Sequence, residues 1–264
     1  LLARDAESRR RLCQAVLAWC EQSELSSLHL LFASEADLQA TQTLGWMQRH
    51  TVQVHWQRQG LRDFDDYLAS LTQEKRKKIR QERRKVLEAD VQFRWATGSD
   101  IGDADWDFFY RCYERTYLEH GNAPYLNREF FQRMAMALPE HWLLFVAQRQ
   151  GRPIASSLIA LNPGSLVAYG RYWGALERVD CLHFEACYYQ PLNWCLTQGF
   201  DRFEGGAQGE HKMARALLPV STHSAHWLAH PGFAQAVENF LEREETGVSR
   251  YLEHLHERSP LRRG

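Results

Sequence analysis

With 32 lysines and arginines against 33 aspartates and glutamates, the 264-residue chain carries a formal net charge of −1, so it is not an electrostatic nucleic-acid binder as a whole and any such role is local. Apolar residues make up 44%, enough for a sizeable core in one large domain or two smaller ones. No apolar run approaches the length of a bilayer span and no signal peptide is read in this sequence, so no membrane insertion is expected; a cytoplasmic location is the expectation from the cysteines below. The chain opens at Leu1 without an initiator methionine and is expected to be part of a longer protein. Cys13, Cys20, Cys112, Cys181, Cys187 and Cys195 sit in apolar, mostly helical patterns with no Cys-x-x-Cys pair, as free thiols in a reducing compartment do.

Residues 5–22 place Leu12, Ala15, Val16 and Trp19 at helical spacing. Residues 27–32 read as a buried strand, Ser34 as the N-cap of a helix over 35–43, and 47–57 as a strand with Val52, Val54 and Trp56 on one face. Asp63 caps a short helix, and a second helix spans about 72–89. That helix holds Lys75, Arg76, Lys77, Lys78, Arg80, Arg83, Arg84 and Lys85 but few apolar positions, namely Ile79, Val86 and Leu87. It is either a solvated connector or a phosphate-facing surface.

From Val91 a complete unit follows. A strand over 91–97 leads into an aromatic-rich helix over 103–120, and Asn127 caps a helix to about Ala137. Strands near 142–148, 154–161 and 166–173 are joined by tight turns at 150–153 and 162–165, which makes an antiparallel meander. A helix over 182–198, a short strand at 201–204, a strand at 221–229 and a long charged helix over 233–254 complete the chain.

The chemistry concentrates in Phe203-Glu204-Gly205-Gly206-Ala207-Gln208-Gly209-Glu210-His211-Lys212. Glycines let backbone approach a ligand, and the polar residues beside them supply acid–base and binding groups. The bland alternative is a glycine-rich turn with a charged rim. Glu204 or His211 is the candidate base, Lys212 positions a carboxylate or phosphate, and the amides of Gly205 and Gly206 face an oxyanion. Gln208 and Glu210 are further ligand contacts, since the glycines can fold the loop back. Glu185, a further catalytic candidate expected to line the site, lies off the apolar face of its helix, and a buried acid needs a partner, for which His183 or a meander arginine is the candidate. On the last meander strand, alternation places Tyr169 and Arg171 on one face and Tyr172 on the other. No metal site is expected: His223 and His226 fall on opposite faces of a strand, and there is neither a His-Glu-x-x-His motif nor a cysteine cluster. No motif marks Cys181 or Cys187 as a nucleophile.

The element order from Val91 is that of the GNAT acyltransferase fold. Tyr172-Trp173-Gly174-Ala175, the segment from His183 to Gln190 and the segment from Arg202 to Lys212 resemble a FemAB-like family described as peptidoglycan biosynthesis/recognition. The resemblance covers nearly the whole chain. It implies an α/β (α+β) fold: a GNAT-like, mixed, mostly antiparallel sheet flanked by helices, preceded by the C-terminal part of a first GNAT-like domain. Residues 1–59 would be that remnant, 60–90 a basic helical connector, and 91–264 the acyltransferase domain. In such a fold the strand carrying Tyr169, Arg171 and Tyr172 flanks the acyl-transfer centre.

The implied function is amide-bond formation on an amine acceptor, possible in peptidoglycan metabolism, with acyl-CoA or aminoacyl-tRNA as donor and tRNA contact through helix 72–89. One departure bears on the donor. CoA-dependent relatives place a Gln/Arg-x-x-Gly-x-Gly/Ala loop after the last meander strand, whose amides cradle a pyrophosphate. Here Leu176 to His183 contains no glycine and carries Glu177 and Asp180. The competing expectations are a non-catalytic module recognising a cell-wall precursor or tRNA, and tRNA binding through helix 72–89 alone.

Overall fold

The structure is a computed structural model describing residues 1–207, 210–257 and 259–262. In chain order its elements are α1 (Ala6–Gln22), β1 (Ser27–Leu30), α2 (Glu35–Gln42), β2 (Met47–Gln57), α3 (Phe64–Ser70), α4 (Gln73–Glu88), β3 (Val91–Thr97), α5 (Asp103–Glu119), α6 (Arg128–Ala137), β4 (Trp142–Arg149), β5 (Arg152–Asn162) and β6 (Val167–Ala175). There follow α7 (Leu182–Phe184), a π-turn (Glu185–Tyr189), α8 (Gln190–Gln198), β7 (Arg202–Glu204), a 3₁₀ turn (Glu210–Arg215), β8 (Leu218–Leu228) and α9 (Pro231–Glu257). The result is the mixed α/β class expected from the sequence, with mostly antiparallel strands and flanking helices.

Local chemistry sets the helix starts. The Asp63 carboxylate accepts from the Asp66 amide at 2.8 Å, and the Asn127 side chain accepts from the Phe130 amide at 2.8 Å. Ser34 and Asp37 form a reciprocal capping box at the start of α2.

The chain forms two compact units. The first joins Leu1–Gln53 to Pro219–Arg258. Its strands run in the order β1–β8–β2, with β1 antiparallel to β8. Its core gathers Leu38, Trp46 and Ala225. The expected strand over 27–32 ends at Leu30, because Phe32 takes a left-handed φ of 52° and leaves the extended region.

The second unit, Val54–Leu218 with Ser259–Gly264, holds the meander. Its strand order is β2–β7–β6–β5–β4–β3, all neighbours antiparallel except β6 and β7. The parallel pair follows from connectivity, because α7 to α8 carries the chain across between these strands. Helices α5 and α6 cover one sheet face with an aromatic cluster of Trp106, Phe109, Tyr113 and Phe131. Gly174 permits that packing: a Cβ there would lie 2.1 Å from the Cys112 carbonyl oxygen of α5.

Two local features depart from the uniform patterns expected. The β5–β6 register shifts so that Leu158 pairs with Tyr172 and Ile159 with Gly170, leaving Arg171 as an extra residue. This bulge breaks the alternation assumed for Tyr169, Arg171 and Tyr172. The helix over 182–198 is interrupted by the π-turn, a form that recurs at functional sites.

Candidate active site

The ladder between β6 and β7 is three residues long, ending at Tyr169 and Glu204. Beyond it β6 continues beside β5 alone, while the chain after β7 turns to β2, with Gly205 N donating to Val54 O at 2.9 Å and Val54 N to Gly206 O at 3.1 Å. The strands therefore part, and a cavity of about 150 Å³ opens between them. Gly170, Arg171, Tyr172 and Trp173 wall one side, and Phe203, Gly205 and Lys212 the other. The π-turn and the residues before it close the cavity with His183, Cys187 and Tyr188.

The π-turn is anchored by two buried acids. Glu185 is ion-paired with Arg83 of α4 at 3.2 Å and accepts from Gln190 Nε2 at 2.7 Å. Burial nonetheless dominates and raises its carboxyl above the ordinary range. Its expected partners, His183 or a meander arginine, are replaced by a residue of the basic helix. The second acid, Glu82 of α4, accepts from the Tyr189 hydroxyl and from Arg215 Nη2 at 2.7 Å. Arg215 is buried, its guanidinium 3.7 Å from the Phe184 ring centroid, and Nη1 donates to His211 O at 2.6 Å. The Tyr67 hydroxyl donates to Arg215 O at 3.0 Å. A buried network of this kind, in which both Nη atoms of Arg215 and the Glu82 carboxylate are engaged, fixes geometry. Here it fixes the turn that presents His211 and Lys212.

Lys212 donates to the carbonyl of Gly205, and burial lowers its ammonium below the usual lysine range. Tyr188 OH lies 3.2 Å from His211 Nε2. Burial lowers both histidines, His183 to about 4, so that it is neutral at pH 7. Burial also pushes the Cys187 thiol up, so it does not offer a thiolate.

The residues singled out in the sequence are distributed as follows. Lys212, Gly205, Arg171 and Tyr172 line the cavity. His211 reaches it through Tyr188, and Glu185 braces it from behind. Glu204 lies between two wall residues, and strand alternation turns its side chain away from the side that Phe203 and Gly205 face. Its carboxylate is 3.0 Å from Arg202 and 3.8 Å from His55. Burial raises the Glu204 carboxyl and lowers His55 to about 4. Tyr169 pairs with Glu204 where the ladder ends. Gly206, at φ 77°, makes the turn to β2. Gln208 lies outside the described residues, and of Glu210 only the backbone is described.

Sequence reasoning missed Glu82, Arg83 and Tyr188 as site residues, and Arg215 altogether. Arg215 had a signal: it interrupts the apolar run from Met213 to Leu217, and a charge there is expected to be buried and paired. Among the described residues, no group of three or more His, Cys, Asp or Glu is arranged to hold a metal ion, and no helix is long and apolar enough to cross a membrane.

The loop after β6 lacks the glycines that would let its amides close on a pyrophosphate. Leu182 N donates to Val179 O, and Phe184 N and Glu185 N both donate to Cys181 O, so these three amides are committed within the turn. Helix α7 lasts one turn before the π-turn begins.

Among solved structures, the fold is similar to that of a domain assigned to a lysylphosphatidylglycerol synthetase from Agrobacterium fabrum (TM-score 0.65, 10% identity, 90% of this chain and 78% of that one). It is equally similar to L-PGS from Bacillus licheniformis (0.65, 10%, 88% and 78%) and comparably to FemX (0.62, 10%, 89% and 80%). No curated protein sequence matches the chain. The FemAB-like family model, described as peptidoglycan biosynthesis/recognition, matches residues 1–263, and the chain belongs to that family.

Proposed function

We propose that this chain is an aminoacyl transferase that forms an amide bond on an amine of a peptidoglycan precursor, with aminoacyl-tRNA as donor. The observation that carries the reading is the cavity where β6 and β7 part, which brings Lys212 and Tyr188 to one small, walled space, with His211 hydrogen-bonded to Tyr188 outside its lining. The family match supports the peptidoglycan context. A loop without glycine and the commitment of the Leu182, Phe184 and Glu185 amides within the turn favour a donor other than acyl-CoA. The outward residues of α4 supply a surface for the tRNA: Lys77, Lys78, Arg80 and Arg84 are exposed and have no ion-pair partner among the described residues.

In the proposed reaction the acceptor nitrogen attacks the ester carbonyl carbon, the C–N bond forms and the ester C–O bond breaks. The Lys212 ammonium, partly desolvated, stabilises the oxyanion of the tetrahedral intermediate. The amine proton passes to the Tyr188 oxygen as the phenol proton moves to His211 Nε2, and exposed His211 releases it to water. The departing ribose oxygen takes a proton from solvent. Arg215 and Glu82 act by holding the 210–215 turn.

The test is single-turnover transfer to a UDP-linked muropeptide, followed by mass spectrometry, with aminoacyl-tRNA and acyl-CoA offered separately. The reading predicts a mass gain of one amino-acid residue with aminoacyl-tRNA. Product from acyl-CoA alone would overturn the donor assignment. Tight precursor binding with no product from either donor would favour a recognition module.

A further inference from the structure

A second cavity, of about 360 Å³, adjoins the Lys212 cavity, and Trp173 and His183 line both. Their rings meet at 5.6 Å between centroids. We propose that the larger cavity holds a carboxylate or phosphate carried by the part of a substrate remote from its reacting end, and that Trp173 and His183 form the partition between this part and the reacting group. The proposal rests on the transferase reading of the Lys212 cavity and adds a second subsite to it.

Size gives the first argument. The smaller cavity is about 150 Å³ and the adjoining one about 360 Å³, so the larger offers more room for a group beyond the reacting end. The larger one has several times the roughly 30 Å³ that one water molecule occupies in the liquid.

Charge gives the second. Arg115, Glu119, Glu177 and Arg178 line the larger cavity. Both glutamates are already engaged: Glu119 by Arg115 at 2.7 Å, and Glu177 by Arg149 at 3.6 Å and Arg152 at 3.8 Å. Arg149 and Arg152 lie outside the lining and offset Glu177 from there, and Asp180 of the same loop is 4.0 Å from Lys85. Arg178 is exposed, with no ion-pair or hydrogen-bond partner among the described residues. An unpaired arginine on a lining whose two acids are already engaged favours an anionic group over a neutral or cationic one.

Rigidity gives the third. Arg115 Nη1 donates to Leu176 O at 2.7 Å, and Thr116 Oγ1 donates to Trp173 O at 3.0 Å, so α5 holds both the rim and the partition. Side chains of the rim meet the oxyanion, and the amides of Leu182, Phe184 and Glu185 are bound within the loop.

The test is an NMR titration of the full chain, reading the indole N–H of Trp173, assigned by comparison with Trp173→Phe. Inorganic phosphate is added in one arm and N-acetyl-D-alanyl-D-alanine in the other, which separates a phosphate from a peptide carboxylate as the source of the anion. At least one probe is expected to shift the Trp173 indole saturably, with a dissociation constant of about 1 mM or below. Arg178→Glu is expected to weaken that probe by at least about 10-fold. Lys212→Met, which removes the oxyanion contact of the transfer reaction, is expected to leave it within about twofold. The proposal is overturned if neither probe moves the indole, if Arg178→Glu leaves the affinity unchanged, or if Lys212→Met abolishes the shift and so places the anion in the smaller cavity. Loss of transfer in Lys212→Met is a separate readout, so the subsite and the transferase reading fail independently.

Discussion

Arg83 on α4 and Glu185 on the π-turn, 102 positions apart in sequence, form an ion pair at 3.2 Å that ties the basic helix to the wall of the cavity. Glu185 is buried while Arg83 is about one-third exposed. Removing the arginine leaves a desolvated carboxylate without its cation, a loss of about 3–5 kcal/mol for buried pairs. Arg83→Met is therefore expected to lower unfolding free energy by up to about 3 kcal/mol near pH 8, at the low end because the pair is partly solvated. The pH dependence has a definite sign. The folded carboxyl is raised above its unfolded value of 4.5, so its contribution is fully present below 4.5 and is lost as pH rises through the folded value. Arg83→Met raises the carboxyl further, so urea titrations at pH 5 and pH 8 should differ more in the variant than in the parent. A pH-independent loss would contradict this.

Glycine substitutions separate steric from backbone effects in the same loop. A Cβ at Gly205 would lie 2.4 Å from Leu217 Cδ2, and Leu217 is buried. Gly205→Ala should cost about 1–3 kcal/mol by overpacking and displace the carbonyl that holds Lys212. Gly206 has open space but φ 77°, so Gly206→Ala should cost about 1–2 kcal/mol through backbone strain alone. Chemical denaturation and transfer rates together check the contrast: Gly205→Ala loses both stability and activity, and Gly206→Ala loses mainly stability.

The Tyr188–His211 pair predicts a kinetic signature. His211→Ala should lower the transfer rate by about 10²-fold or more with little loss of stability, because the side chain is exposed. Its imidazole is lowered from 6.5 by burial and by Arg215 and Lys212, so the acidic limb of the rate profile should fall below pH 6.5. In Tyr188→Phe the limb should vanish while substrate affinity holds. A limb unchanged in both variants would remove the pair from the reaction.

The outward face of α4 predicts salt-sensitive RNA binding. Each phosphate contact contributes a slope of about 0.7–0.9 in log affinity against log salt. Lys77→Glu, Arg80→Glu and Arg84→Glu together should flatten that slope by about 2–3 and weaken tRNA binding, as read by filter binding across a salt series. An unchanged slope would assign the helix a purely structural role.

The ease of reading each feature from sequence follows its physical range. Strands 47–57 and 91–97 were legible to the residue because alternation and flanking turns are local signals. The caps at Ser34, Asp63 and Asn127 were legible for the same reason. Lys212 and Gly205, which line the cavity between β6 and β7, stood out because composition concentrates in one segment. The Arg171 bulge was not, since register depends on the partner strand. Nor was Arg83 as the partner of Glu185, because an ion pair spanning 102 positions leaves no periodic trace. Glu204, prominent in sequence, has its carboxylate on Arg202 and His55, a direction set by pairing with β2 rather than by its own segment.

The most direct measurement is single-turnover aminoacyl transfer by the parent chain and by Lys212→Met, with the product amide counted by mass spectrometry. The structure-based account predicts product from the parent and a loss of about 10²–10³-fold in the variant, the scale of removing one oxyanion donor, with precursor affinity nearly unchanged. Undiminished transfer by Lys212→Met would contradict the assignment of the cavity between β6 and β7 as the centre of the reaction.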